Sequence, residues 1–236
     1  MTITRKAVTL MLATMSAHTI VNGPNASARS SPIISARAQV AQSKNLFGTK
    51  DEVAHPRSKN APLTYREVRD AQVLWACSIK EISAAYLNED DFISVAGEAA
   101  SKLYAYGHSG VLFKPTKASK VQFRPMASDA MSYLLGYNAI EDGYLEDHGF
   151  AINSGNGWSE VVFDNHAIEL NGDTAIAMGN YYFTDATTGE KSKVEYTFGY
   201  RRCDDGVVRI FLHHSSIPYA PTNRLENNIK CNEHKI

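Results

Sequence analysis

Two adjacent histidines followed by two adjacent serines, at positions 213–216, are the residues of this chain best suited to acid–base chemistry. A neutral imidazole titrates near neutral pH and can act as a general base, while a hydroxyl can orient a substrate oxygen. The pattern from Val207 to Ser216 predicts a β-strand. Because side chains alternate between the two faces of a strand, His214 and Ser216 are predicted to lie side by side on one face.

The two faces of this strand are expected to carry different sets of residues. One face would carry Ile210, Leu212, His214 and Ser216, and the other Arg209, Phe211, His213 and Ser215. If the first face lines a cavity, it forms a small polar patch at the end of an apolar one. The spacing alone is equally compatible with His214 as a core histidine that makes one hydrogen bond.

Other sequence motifs for catalysis are weak or absent. The sequence contains no GxSxG, HExxH, phosphate-binding loop or dinucleotide-binding fingerprint. The string GHSG at Gly107–Gly110 is more typical of a loop than of a serine nucleophile. His213 and His214 point to opposite faces of a strand, so they cannot bind one metal ion without a bulge. A three-histidine zinc site would have to recruit the scattered histidines at positions 108, 148 and 166.

The composition of the chain narrows the classes of partner. The chain has 236 residues, 44% of them apolar, and a formal net charge of −1, so it can hold one domain with extensions. A charge this close to zero gives no reason to expect nucleic acid or an anionic membrane as a partner. The three cysteines form no CxxC pair. Cys203 and Cys231 can pair only in an oxidising compartment, which the sequence leaves open.

The first sixty residues differ in composition from the rest. Arg5 and Lys6 precede an apolar run and a small-residue cleavage pattern at Ala26–Ala28, which predicts a secretory signal peptide over residues 1–28. The run is too short and too interrupted for a membrane span. Residues 29–61 are predicted to be a transit-like segment or a disordered linker. These features predict import into the plastid of an alga, or export to the periplasm or the cell exterior in a bacterium.

Downstream, the sequence predicts helices first and strands afterwards. Thr64 and Glu67 form a capping-box pattern that begins a long amphipathic helix. Two shorter helices are predicted from about Asp91 to Tyr104 and over Ser128–Leu135, with Gly136 ending the second. Strands are predicted at 111–114, 121–124, 158–165, 167–170, 175–184, 193–202 and 207–216, with a hairpin turn at Asn171–Asp173.

This order of elements indicates an α+β fold, in which a long helix and shorter helices pack on a curved, mixed or antiparallel sheet. We expect one domain over residues 62–220, followed by a C-terminal tail over residues 221–236. A sheet bent around a helix leaves a concave pocket. Because exposed sheet surface is often covered by a second copy of the chain, we also expect a homodimer or a higher homo-oligomer.

Five sequence strings together resemble one enzyme family. They are VLFKPT at Val111–Thr116, QFRP at Gln122–Pro125, LNGDTAIAMGNYYFTD at Leu170–Asp185, VEYTFGYRR at Val194–Arg202 and FLHHSSIPY at Phe211–Tyr219. They are similar to the iota class of carbonic anhydrases. Those proteins resemble the association domain of calcium/calmodulin-dependent protein kinase II, within the NTF2-like or SnoaL-like cone fold. The resemblance covers a single copy of the domain.

The resemblance implies reversible hydration of CO2 to bicarbonate in a pocket lined by a threonine, a tyrosine, and the histidine and serine of the HHSS string. Matched onto this chain, the four catalytic residues are Thr116, Tyr133, His214 and Ser216. The expected substrate pocket adds Ile210, Leu212, His213 and Ser215. Some members of the family are described as working without a metal and others as using one. We expect no cofactor here, with zinc or manganese as the alternative.

The expected mechanism is a metal-free hydration. CO2 enters the apolar pocket, and a water held by the catalytic residues attacks its carbon while His214 or Tyr133 takes a proton. Ser216 and Thr116 then hold the bicarbonate. General-base assistance supplies only about 10²- to 10⁴-fold acceleration, so we expect slower turnover than in zinc enzymes. The alternatives are a SnoaL-like cyclase or isomerase with a larger cavity for an organic ligand, or a non-catalytic oligomerisation module.

Overall fold

The computed structural model describes residues 58–220. Within this range the helices are α1 (Tyr65–Leu87), α2 (Phe92–Leu103) and α3 (Ala127–Leu135), with short 3-10 turns at Tyr137–Ala139 and Asn153–Gly155. The strands are β1 (Leu112–Lys114), β2 (Trp158–Asn171), β3 (Thr174–Asp185), β4 (Lys191–Arg202) and β5 (Val208–Ser216). The predicted α+β order is confirmed. The predicted signal peptide, almost all of the segment 29–61, the C-terminal tail and Cys231 lie outside the described residues.

Helix α1 begins where the sequence predicts it. The Glu67 N–H donates to the Thr64 hydroxyl at 3.3 Å, and the Thr64 N–H donates to the Glu67 carboxylate at 2.9 Å, which completes the capping box. The apolar stripe of the helix is buried, with Trp75 1% exposed. Among the described residues, no helix is both long enough and apolar enough to cross a membrane.

The five strands form one mixed sheet in the order β1-β5-β4-β3-β2, in which β1 is parallel to β5 and all other pairs are antiparallel. One face, here called the inner face, packs against α1. Trp75 makes ring contacts with Tyr181 and Phe183 of β3 and Phe198 of β4, at centroid distances of 5.6–6.2 Å. The opposite, outer face leaves apolar side chains such as Met178 exposed.

Three register shifts adjust the sheet, one at Ser159 near the start of β2 and two further β-bulges. His166 is the extra residue of a bulge in β2, so the two strands predicted at 158–165 and 167–170 are one strand. The second bulge lies in β5, where Tyr200 pairs with Ile210 but the preceding Gly199 pairs with Leu212. Phe211 is therefore an extra residue, and the alternation of side chains shifts by one position after it.

The strand predicted at 121–124 is absent, and the prediction is wrong. The Arg124 N–H does donate to the Phe113 carbonyl at 2.8 Å. The N–H groups of Lys120 and Val121 instead donate to the Glu146 carboxylate at 2.9 and 2.8 Å. A side chain satisfies these backbone donors, so the segment has no need of a neighbouring strand.

Candidate active site

The bulge in β5 turns His213 and Ser215 toward the inner face. Both residues are buried, with exposures of 4% and 1%. His213 Nε2 lies 2.9 Å from Ser215 Oγ, and Ser215 Oγ lies 2.5 Å from the hydroxyl of Tyr181 on β3. A histidine, a serine and a tyrosine are therefore joined by hydrogen bonds at the end of the strand.

The other ring nitrogen of His213 also has a partner. Its Nδ1 lies 2.8 Å from the hydroxyl of Tyr104, the residue that ends α2. The indole N–H of Trp75 donates to the same hydroxyl at 3.0 Å. The ring of Phe198 lies 4.0 Å from the imidazole, centroid to centroid. Burial lowers the pKa of His213 well below its usual value, and the nearby His214 adds to this effect, so the imidazole is neutral.

Thr116 and Tyr133 reach the same place from two other elements. Phe113 of β1 pairs with His213, so the chain that continues to Thr116 runs along the end of β5. Tyr133 of α3 is 5% exposed, and burial raises its pKa to about 12. Its hydroxyl lies beside the Thr116 side chain and the backbone of Thr116 and Lys117, and within residues 58–220 it makes no hydrogen bond of regular geometry. Thr116 also neighbours the Tyr181 hydroxyl.

A buried ion pair fixes the position of α3. Arg124 is fully buried and donates two hydrogen bonds to the Asp147 carboxylate, at 2.9 and 3.1 Å. The Ser132 hydroxyl donates to the same carboxylate at 2.6 Å. Burial raises the pKa of Asp147, although Arg124 and Ser132 act in the opposite direction. Because Ser132 is the neighbour of Tyr133 in α3, these contacts also position Tyr133.

The expectation that His214 and Ser216 line the pocket is wrong. His214 is exposed on the outer face, opposite Thr197 of β4. The Ser216 hydroxyl donates to the exposed Glu195 carboxylate at 3.0 Å. The physical reason is the bulge at Phe211, since a one-residue shift moves every later side chain to the other face.

Of the two aliphatic residues expected to line the pocket, one lies on the inner face and the other does not. Ile210 is buried in the core on the inner face, and its backbone bridges to Tyr104. Gly199 faces outward, because its neighbours Phe198 and Tyr200 are buried on the inner face. Leu212 pairs with Gly199 and lies on the same outer face, where a Cβ built on Gly199 would be 2.9 Å from the Leu212 Cβ. Strict alternation placed these two residues on one face, and the bulge between them separates them.

The sequence reasoning missed three residues of this cluster, Tyr181, Tyr104 and Trp75. Tyr181 belongs to an alternating strand pattern in which Ala175, Ala177, Tyr181 and Phe183 are buried on the inner face, and this alternation is the signal that could have identified it. The other two are joined to His213 only by contacts between distant parts of the chain, and no local pattern indicates such contacts.

Two cavities and one polar cluster adjoin the described residues. A cavity of about 130 Å³ reaches Tyr133, with Lys117 and His148 among its lining residues. A surface groove of about 450 Å³ between α1 and β2 contains none of the expected site residues. The cluster of His108, Asp204 and Asp205 has metal-ligand chemistry but lies at the start of β5, away from Ser215.

Comparisons with known proteins identify one enzyme family. Residues 66–217 match the protein family described as metal-independent carbonic anhydrase. A protein of that name from Nostoc sp. is 33% identical over 195 residues, which cover 79% of this chain and 91% of the relative. The crystal structure of an iota-carbonic anhydrase from a cyanobacterium, complexed with bicarbonate, is also 33% identical. It superimposes with a TM-score of 0.63 over 70% of this chain and 98% of that one. An NTF2-like superfamily protein from Salmonella enterica matches at a TM-score of only 0.40 and an identity of 12%.

Proposed function

The chain belongs to the family of metal-independent carbonic anhydrases, and from this premise we propose that it hydrates CO2 reversibly. We place the reaction at the C-terminal end of β5, on the inner face of the sheet. The expected family is confirmed, and the family description agrees with the expectation that no metal cofactor is used. The observation that carries the proposal is the buried Tyr133 hydroxyl. Among the described residues it has no hydrogen-bond partner of regular geometry, and it lies beside the side chain of Thr116 and the backbone of Thr116 and Lys117, close to the pair formed by Ser215 and Tyr181.

A buried hydroxyl without a partner is unfavourable unless a ligand uses it. Bicarbonate offers three oxygens to such donors, and the hydroxyls of Tyr133, Thr116, Tyr181 and Ser215 supply donors around one place. Burial keeps the pKa of both tyrosines above the usual value, so both hydroxyls keep their protons at neutral pH. The site therefore suits an oxyanion that forms during a reaction.

Without a metal, no ion lowers the pKa of the attacking water from about 15.7 toward 7. Catalysis must then come from positioning and from donors that face the developing charge. The water oxygen bonds to the carbon, and one C=O electron pair moves onto oxygen, which the hydroxyls stabilise. The proton of the water passes to a solvent base, and we assign its route to the cavity at Tyr133.

His213 and Ser215 take the places that were expected for His214 and Ser216. Their burial and their contacts with Tyr181 support this exchange. Thr116 and Tyr133 keep their expected roles, in orienting the substrate and donating to its oxygens. An imidazole takes a proton only through a nitrogen that carries none. The tautomer of His213 therefore decides whether it acts as the general base.

The cavity that reaches Tyr133 is small. A pocket for a drug-sized molecule has a volume of about 300–1,000 Å³, whereas the cavity that reaches Tyr133 has a volume of about 130 Å³. Since one water occupies about 30 Å³ in the liquid, the cavity has room for a few waters or a small anion. Of the candidate site residues, Tyr133 lines this cavity, whereas Thr116, Tyr181, His213 and Ser215 do not, so the volume describes the approach to Tyr133 and not the whole site.

We further propose that the outer face of the sheet pairs with a second copy of the chain. Leu112, Val162, Ile176 and Met178 lie on this face in three different strands, and each is between 41% and 65% exposed. A self-complementary apolar patch is the usual basis of a two-fold dimer. Analytical ultracentrifugation of wild type and Met178→Glu tests this. We expect a dimer that dissociates in the variant, and a monomeric wild type would refute the dimer.

Stopped-flow measurement of CO2 hydration by the purified protein tests the enzymatic proposal. We expect activity that a strong chelator leaves unchanged and that added zinc or manganese does not raise. Activity that chelation removes and zinc restores would contradict the metal-free mechanism. A folded protein without activity in any buffer or metal would leave only the non-catalytic alternative.

A further inference from the structure

A continuous chain of hydrogen bonds runs behind the candidate site. It leads from the Trp75 indole to the Tyr104 hydroxyl at 3.0 Å, then to His213 Nδ1 at 2.8 Å. From His213 Nε2 it continues to Ser215 Oγ at 2.9 Å and from there to the Tyr181 hydroxyl at 2.5 Å. All five residues are buried, with exposures between 1% and 4%.

The hydrogen bond from Trp75 to Tyr104 determines which atoms donate and which accept in the rest of this series. An indole nitrogen can only donate, so the Tyr104 oxygen accepts from Trp75 and must direct its own proton elsewhere. Among the described residues, the remaining hydrogen-bond partner of that hydroxyl is His213 Nδ1. If Nδ1 carried the proton, the Tyr104 oxygen would accept two hydrogen bonds, and its own buried O–H would have no acceptor among the described residues, which is unfavourable. The favoured arrangement therefore has Nδ1 as the acceptor, without a proton. Burial disfavours the doubly protonated ring, so the single ring proton lies on Nε2.

We propose that Tyr104 and Trp75 are positioning residues that hold His213 as the neutral Nε2–H tautomer, so that His213 donates to Ser215 and does not act as the general base. The inference rests on the proposed hydration activity only for its consequence in catalysis. The tautomer itself follows from the hydrogen-bond geometry.

A count of protons explains why this tautomer suits the reaction. Two hydrogen bonds join His213, Ser215 and Tyr181. With the proton on Nε2, the three groups hold three protons, so one proton stays free to donate to a ligand oxygen. With the ring proton on Nδ1, that proton faces Tyr104, and only the Ser215 and Tyr181 protons remain, both of which are used in the two hydrogen bonds. Tyr104 therefore supplies the site with one extra donor for the bicarbonate oxygens, and the water proton leaves to a solvent base instead of to His213.

The direct test is nuclear magnetic resonance of the full chain with ¹⁵N-labelled histidine. Long-range ¹H–¹⁵N correlations distinguish the two tautomers, and loss of a signal in His213→Gln identifies the residue. We expect His213 in wild type to carry its proton on Nε2. A proton on Nδ1, or on both nitrogens, at neutral pH would overturn the inference.

Two matched tyrosine variants test the role of Tyr104. In Tyr104→Phe, Nδ1 loses its donor, so we expect a mixture of tautomers and about tenfold lower kcat/KM. Tyr106→Phe is the control, because its ring packs 6.0 Å from that of Tyr104 while its hydroxyl donates to the Arg124 carbonyl. We expect the control to keep the wild-type tautomer. An unchanged tautomer in Tyr104→Phe would contradict the positioning role, and if that variant does not fold, the wild-type spectrum still decides.

A comparison of two substitutions at position 213 separates donor from base. A glutamine carboxamide can place an N–H near the position of Nε2 but cannot act as a base at neutral pH. We expect His213→Gln to retain activity within about tenfold of wild type, and His213→Ala to lose about 10²-fold. Equal losses of about 10²-fold or more would favour a general base. If wild type shows no hydration activity, the proposed function fails while the tautomer measurement remains valid.

Discussion

The two histidine–serine pairs of β5 are alike in chemistry and opposite in environment. His213 and Ser215 are buried on the inner face, and each ring nitrogen of the histidine has a hydrogen-bond partner. His214 is exposed on the outer face, and the Ser216 hydroxyl donates to the exposed carboxylate of Glu195. A neutral imidazole held in one orientation can direct protons, whereas an exposed one is free to rotate. Because the two pairs have the same residue types, only their hydrogen-bond partners favour His213 and Ser215 as the pair that acts in the proposed hydration.

Alanine substitution of the two serines is expected to separate the faces by the largest margin. Ser215→Ala removes a hydroxyl that links His213 to Tyr181, and loss of one such donor typically lowers kcat by about 10²–10³-fold. Ser216→Ala removes only an exposed contact and should leave kcat within about twofold of wild type. Stopped-flow CO2 hydration measures both. Equal losses in the two variants would show that the inner pair is not the reactive one.

The bulge at Phe211 decides which face each pair lies on, and a larger residue at Gly199 is expected to strain it. A Cβ at this position would lie 2.8 Å from Phe211 Cε1 and 2.9 Å from Leu212 Cβ. We expect Gly199→Ala to lower the free energy of unfolding by about 1–3 kcal/mol through overpacking. Denaturant titration measures the loss, and Phe211→Ala in the same chain should restore part of it. Gly110→Ala is the control, since a Cβ there meets nothing within 4 Å, and a similar loss in it would discount the bulge.

The bulge also explains what the sequence could and could not predict. The start of α1 at Thr64 and Glu67, the end of α3 at Gly136 and the hairpin at Gly172 depend on neighbouring residues, and all three predictions are confirmed. The face of His213 depends instead on how Phe211 fits against Gly199 of another strand. Alternation assumes an unbroken strand, and pairing between distant segments can break it without a local signal.

The same limit applies to the site. The resemblance predicts Thr116 and Tyr133 as site residues, and the structure brings these two side chains together beside Tyr181 and Ser215. It identified the HHSS string but not the face on which each residue lies. Tyr104 was predicted only as the end of a helix, and its contact with His213 spans 109 positions in the sequence. Side chains recruited from such distances can be recognised only after the chain has folded.

The pH dependence of stability should distinguish the two histidines. Burial lowers the pKa of His213 well below 6.5 in the folded state. Below pH 6.5 the unfolded chain therefore binds a proton that the folded chain does not, and the free energy of unfolding falls as the pH falls. One such group contributes up to about 1.4 kcal/mol per pH unit.

Urea titrations of wild type, His213→Gln and His214→Gln between pH 5 and pH 7 measure this slope. We expect a shallower fall of the unfolding free energy in His213→Gln than in wild type, because the residue that gains a proton on unfolding is gone. His214→Gln is the matched control on the outer face. A slope in His213→Gln that equals the slope in wild type would show that the folded protein accepts the proton at position 213.

A second pair of residues refines the comparison within the inner face and involves the smallest effect. Tyr133 and Tyr200 both carry buried hydroxyls for which the described part of the chain provides no hydrogen bond of regular geometry. The Tyr133 hydroxyl lies beside Thr116, whereas that of Tyr200 lies near Gln72 in the core. Removing an unsatisfied buried hydroxyl relieves a desolvation cost, so Tyr200→Phe should raise the free energy of unfolding by about 1 kcal/mol. Its CO2 hydration rate should stay at the wild-type value.

Tyr133→Phe should gain similar stability but lose activity, because its hydroxyl is kept for a ligand. A loss of activity in Tyr200→Phe would mean that an unpaired hydroxyl alone does not identify the site.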